Sequence, residues 1–102
     1  MTSPARLSPR ALAELKEAVR WIRRDRPSAA NHLRLAVTNL ARHLGAHPYS
    51  GIARPDVTRP PFRFAVVDGF PYLVVYNPER EPPLIVRVVH GARDLPEVLR
   101  DL

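Results

Sequence analysis

With 102 residues, no cysteine and a quarter of its side chains charged, the chain has room for a single domain, residues 1–102, on one modest core. Disulfides and thiolate metal sites are excluded; no run reaches the roughly 18 apolar residues of a membrane span and no signal-peptide core opens the chain, which predicts a cytoplasmic protein without membrane contact. The net charge of +6 lies wholly in residues 1–44, nine basic side chains against three acidic, and this points to an anionic partner or to a solvated helix face.

In chain order, Ala5-Arg6-Leu7 reads as a short edge strand. Ser8-Pro9 then predicts a helix start, with serine as N-cap and proline in the first helical position. Leu12, Leu15, Val19 and Ile22 recur at i, i+3, i+7 and i+10 beside Ala11 and Ala18, giving one apolar stripe with Trp21 at its margin. Arg10, Lys16, Glu17, Arg20 and Arg24 occupy the wet face. Asp25-Arg26-Pro27-Ser28 breaks this helix and starts a second, whose stripe is Ala30, Leu33, Val37, Leu40, Ala41 and Leu44, with Gly45 expected as C-terminal cap. So short a break predicts an antiparallel helical hairpin.

Residues 45–61 read as a loop punctuated by proline and glycine. Three strand-like runs follow, Phe62–Asp68, Pro71–Tyr76 and Leu84–Val89, the first two close enough to form a hairpin. Leu95–Leu102 predicts a last short helix capped by Asp94. The order β-α-α-β-β-β with a short C-terminal helix defines a two-layer α+β domain, the helical hairpin packed on a small antiparallel sheet.

Motifs of common enzymes are absent: no phosphate-binding glycine loop, no paired metal histidines, no serine in a nucleophile turn. No metal or cofactor is expected. The residues with chemistry to offer close the third strand, where Val89 is followed by His90-Gly91-Ala92-Arg93-Asp94. An imidazole suits proton transfer, and a guanidinium holds a phosphate or carboxylate bidentately. Arg63 and Arg87 join this edge if they project away from the helices. Tyr72 and Tyr76 share one face of the middle strand, to stack on a base or pack into the core. The structural alternative pairs Arg93 with Asp94 or Asp68 and uses His90 to cap the last helix.

The run RVVHGARDLPEVL (Arg87–Leu99) resembles the closing signature of the ParE branch of the RelE/ParE toxins, the toxin halves of type II toxin–antitoxin systems in bacteria. LSPRALAELKEAVRWI (Leu7–Ile22) is similar to the opening helix of that family, and HPYSGIARPD (His47–Asp56) to its Pro-x-x-Gly loop. FRFAVVDGFPYLVVY (Phe62–Tyr76) resembles its arginine-containing strand and the tyrosine-ended strand after it. The resemblance runs in order along nearly the whole chain.

That resemblance implies a helical hairpin on a small sheet and a protein partner. The partner is an antitoxin, expected to be of ribbon-helix-helix type, whose acidic, apolar C-terminal tail folds onto the toxin in a hetero-oligomer. Trp21, Arg20, Arg23 and Arg24 are the residues expected to meet it. For the target, the ParE-like ending implies inhibition of DNA gyrase, stalled on cleaved DNA without enzymatic chemistry, through Arg63, His90 and Arg93. The alternative is a RelE-like ribosome-dependent mRNA endoribonuclease drawing on His90, Arg93, Arg63, Arg87 and Tyr76. A third possibility is an inactive homologue that only binds.

Overall fold

Ser8 starts the first helix as expected, and the computed structural model, which describes residues 2–102, gives it two further duties. Its hydroxyl accepts the Ala11 N–H at 3.1 Å, capping α1 (Pro9–Asp25), and donates to the Val86 carbonyl at 3.1 Å. Its backbone N–H bonds the Ile85 carbonyl at 2.8 Å, so one residue ties the helix start to a strand edge. Arg26 alone separates α1 from α2 (Pro27–Ala46), because Pro27 cannot continue a helix but suits the first turn of a new one. The Ala5 N–H reaches the Ala41 carbonyl, placing the segment before α1 against the far end of α2. The two helices are therefore antiparallel.

Both expected stripes are buried with two corrections. Leu12 is 43% exposed, because Ala11, Leu15, Ala18, Val19 and Ile22 already fill the face that meets the core. Gly45 is not the cap: α2 continues through Ala46 and ends on His47. The glycine serves a close approach instead, since any Cβ there would collide with the Ser3 carbonyl oxygen and the Pro4 backbone.

The sheet has five strands in the order β1 (Arg6–Leu7), β5 (Leu84–His90), β4 (Tyr72–Asn77), β3 (Arg63–Val66), β2 (Ile52–Ala53). All neighbours are antiparallel except β1 and β5, so the sheet is mixed rather than wholly antiparallel. Almost the whole chain separates those two strands, and no tight turn dictates their relative direction. The two-residue β2 lies within the stretch expected to be loop. It is too short to carry any alternation.

The helical hairpin covers one sheet face through Val74, Tyr76, Ile85 and Val88, packed on Ala18, Leu33, Val37 and Leu44. A second cluster (Phe64, Val75, Val89) lies on the other face under Leu95 and Leu99. Those leucines belong to α3 (Leu95–Val98) and the turn that follows, a helix shorter than expected. The Asp94 carboxylate makes no cap bond. The Val98 carbonyl accepts Arg87 Nη1 at 3.0 Å while Leu102 N–H turns back to Leu99, and the helix stops there.

A β-bulge decides where Arg87 goes. Val75 faces Arg87 but Tyr76 faces Ile85, so Val86 is left without a partner. Strict alternation would put Arg87 on the same side as Ile85, under the helices. The extra residue turns it to the face of Val75 instead.

Candidate functional site

Strand β4 separates the candidate residues into two groups. Tyr72 pairs with His90 on β5, and Tyr76 pairs with Arg63 on β3. Four residues of strand span about 13 Å. Arg63 therefore does not join His90 and Arg93 in one edge; it sits at the other end of the sheet.

At that other end the polar groups are consumed by the fold. Arg63 Nη1 donates to the Gly51 carbonyl at 2.8 Å and the Tyr49 carbonyl at 3.3 Å, and its guanidinium stacks 5.3 Å from the Tyr49 ring. The fully buried Tyr76 donates its hydroxyl to the Pro48 carbonyl at 2.8 Å and accepts the Gly51 N–H at 2.9 Å. Burial raises the Tyr76 pKa above the ordinary phenol value, opposed by the Gly51 hydrogen bond and the charge of Arg63. Gly51 is required here, because a Cβ would stand 2.5 Å from the Tyr76 hydroxyl. The Pro-x-x-Gly spacing was the visible signal for this contact.

Arg87 is also spent. It is only 4% exposed. Its Nε and Nη2 clamp the Glu14 carboxylate at 2.9–3.1 Å, and Nη1 reaches Val98 O and, at 3.4 Å, Asp101. Glu14 Oε1 in turn accepts the Val88 N–H at 2.9 Å, satisfying a donor on the outer edge of β5 beyond the end of β1. Arg10 holds the other oxygen of Asp101. Burial is the largest single influence and opposes ionisation of Asp101, but the Arg10 hydrogen bond, a backbone hydrogen bond and the charges of Arg10 and Arg87 together hold the pKa below the usual carboxylate value. The sequence reading missed Glu14, although it lies on the buried stripe between Ala11 and Ala18, where an unpaired acid does not belong.

At the Tyr72 end the side chains are left open. His90 meets Tyr72 edge-on, ring centroids 5.4 Å apart. Its Nδ1 accepts the Ala92 N–H at 3.1 Å, which leaves the neutral ring its proton on Nε2. Burial raises the Tyr72 pKa, so the ring remains a neutral phenol. Arg93 is exposed and makes no ion pair among the described residues; neither Asp94 nor Asp68 engages it, and His90 does not cap α3. Two grooves flank the Tyr72–His90 pair. One, of about 270 Å³, runs under the helix-hairpin turn past Trp21, Asp25, Arg26 and Phe70. The other, of about 230 Å³, lies between α1 and the β5 edge, with Glu14, Glu17 and Arg93.

Trp21 lines both grooves yet remains 62% exposed, with the Arg24 guanidinium 5.3 Å from its ring centre. Arg20, the residue before Trp21, holds Glu17 at 2.7 Å. Arg23, two residues after Trp21 at about 100° per residue, points to the opposite side of the helix. The structure thus brings Trp21 beside His90 and Arg93, with Arg24 over the indole, and leaves Arg23 out.

The open end offers an imidazole and guanidinium groups, and among the described residues no carboxylate is hydrogen-bonded to the histidine. Among the described residues, no three His, Asp or Glu side chains cluster as metal ligands, and no helix is long and apolar enough to cross a membrane.

Comparison with known proteins agrees with this architecture. A chain of the chromosomal ParDE toxin–antitoxin system from P. aeruginosa superposes with a TM-score of 0.72 at 16% identity, covering 87% of this chain and 96% of that one. The fold is therefore that of the small α+β proteins of such systems. The family model described as the ParE toxin of type II toxin–antitoxin systems matches residues 5–95, and the chain belongs to that family. No curated protein matches it in sequence.

Proposed function

We propose that this ParE-family toxin acts by binding, inhibiting DNA gyrase stalled on cleaved DNA, and that an antitoxin neutralises it. The strongest support is the dispersal of the residues a ribonuclease would need. Arg87 is buried in an ion-pair network, Tyr76 is held by two backbone groups, and Arg63 clamps a loop at the far end of the sheet. Only His90 and Arg93 stay available, and they form no acid–base pair. A target surface of His90, Arg93 and the turn between them concentrates exposed groups on irregular backbone. For the antitoxin, the apolar rings of Trp21 and Phe70 suit hydrophobic anchors, and Arg24 suits an acidic tail, as in a ribbon-helix-helix antitoxin with an acidic, apolar C-terminus. The proposed site of action is the cytoplasm.

Pulse labelling of DNA and protein synthesis shortly after induction in a bacterial host tests the target. Early loss of DNA synthesis with translation intact is expected, and Arg93→Ala should weaken it while the variant remains folded. Early loss of translation would replace gyrase by the ribosome and return His90 to candidacy as a general acid, with about a hundredfold rate loss expected in His90→Ala.

A further inference from the structure

We infer that the open end of the sheet is a site for single-stranded nucleic acid, with one base stacked on Trp21 and the flanking phosphates held by Arg24, Arg26 and Arg93. Its biological meaning rests on the gyrase reading, in which the strand is one exposed at the cleaved DNA. Its physical basis does not.

Three observations carry it. First, Trp21 is the only tryptophan of the chain and the largest aromatic side chain, and it is left 62% exposed. An indole with a guanidinium already over it is a ready stacking platform, because every base has a π-face and arginine adds a cation–π contribution. Second, the Tyr72–His90 pair divides the space beside Trp21 into two grooves rather than a flat surface. Splayed bases fit grooves of this kind, whereas a stacked duplex does not enter them. Third, the charges are asymmetric. Glu14 is committed to Arg87 and Glu17 to Arg20, so Asp25 is the groove-lining carboxylate without an ion pair among the described residues. Arg26 shares the first groove with Asp25, Arg93 lines the second and Arg24 lies over the Trp21 ring, all three without an ion pair on the same terms. Cations therefore prevail at the rim.

A purely acidic peptide would satisfy the arginines but make no use of the indole, and the acidic, apolar antitoxin tail proposed above would compete with nucleic acid for Trp21 and Arg24. Nucleic acid uses both features.

The single tryptophan makes the test direct. The whole protein is titrated at low salt with a twelve-residue oligothymidylate while Trp21 fluorescence is followed, with oligoglutamate of equal length and a twelve-base-pair duplex as comparators. The oligothymidylate should quench the emission, and three phosphate contacts should give a slope of log K against log salt near about −2. Trp21→Ala, followed by anisotropy of a labelled oligonucleotide, should weaken binding about tenfold, and Trp21→Phe should restore part of it. Arg26→Ala should make the salt slope about 0.7 shallower. Equal quenching by oligoglutamate, preference for the duplex, or unchanged affinity in Trp21→Ala would each overturn the inference. Supercoiling by purified gyrase separates the two levels. Inhibition without oligonucleotide binding rejects the nucleic-acid site and spares the gyrase reading, whereas binding without inhibition does the reverse.

Discussion

Tyr72 and Tyr76 lie on the same face of β4, four residues apart, and their surroundings divide the molecule into two kinds of region. Around Tyr76 the functional groups are turned inward: the phenol takes Pro48 and Gly51, and Arg63 takes the carbonyls of the same loop. Around Tyr72 the phenol makes no hydrogen bond among the described residues, His90 is held on one nitrogen only, and Arg93 has no ion-pair partner. Both ends carry an exposed aromatic ring with a guanidinium 5.3 Å from it, Tyr49 with Arg63 and Trp21 with Arg24. Only the second of these guanidiniums is free of backbone bonds. Residue type therefore does not distinguish a structural arginine from a functional one; what it has been left to bind does.

The sharpest way to break this division is at Arg87, the most completely enclosed charge. Arg87→Ala strands the Glu14 carboxylate against a buried edge and frees the Val98 carbonyl, and should cost about 3–5 kcal/mol of stability in urea unfolding. Arg93→Ala, six residues on, should stay within about 0.5 kcal/mol of the parent. If both are equally tolerated, the buried network is not holding α1, β5 and α3 together. The tyrosines give a smaller contrast. Tyr76→Phe leaves Pro48 and Gly51 without partners and should cost about 2 kcal/mol, whereas Tyr72→Phe removes a hydroxyl with no bond to lose and should be nearly neutral. Equal losses would mean that the two ends are alike in kind.

The hairpin was legible because its punctuation is local. Ser8, Pro9 and Pro27 act on their own backbone, and the stripes of α1 and α2 need only a period. The strands were legible as runs, but the register was not. Leu84–Val89 shows no polar alternation apart from Arg87, so nothing in it marks the bulge that skips Val86. Arg63 was misplaced for a related reason: its partners are carbonyl groups, which every residue possesses and no sequence displays. By contrast the Glu14–Arg87 pair left a trace, a lone acid on one apolar stripe and a lone base in another, 73 residues apart. Two such charges on buried faces predict one another, because neither is tolerated alone.

Alkali provides the finest distinction between the two ends. Burial raises the pKa of both Tyr72 and Tyr76, so the folded state holds each phenolic proton more tightly than the unfolded chain does. The associated stability is complete below the unfolded tyrosine value of about 10 and is lost as pH rises through the folded value. Tyr76 additionally donates its proton to the Pro48 carbonyl, a bond that the phenolate cannot make. The stability advantage of the parent over Tyr76→Phe should therefore shrink as pH rises above about 10, while the small difference from Tyr72→Phe has less to lose. Urea unfolding of the three proteins across that range measures both gaps. Parallel curves for the parent and Tyr76→Phe would mean that the phenol proton contributes nothing to holding the Pro48–Gly51 loop, and that the closed end of the sheet is closed by packing alone.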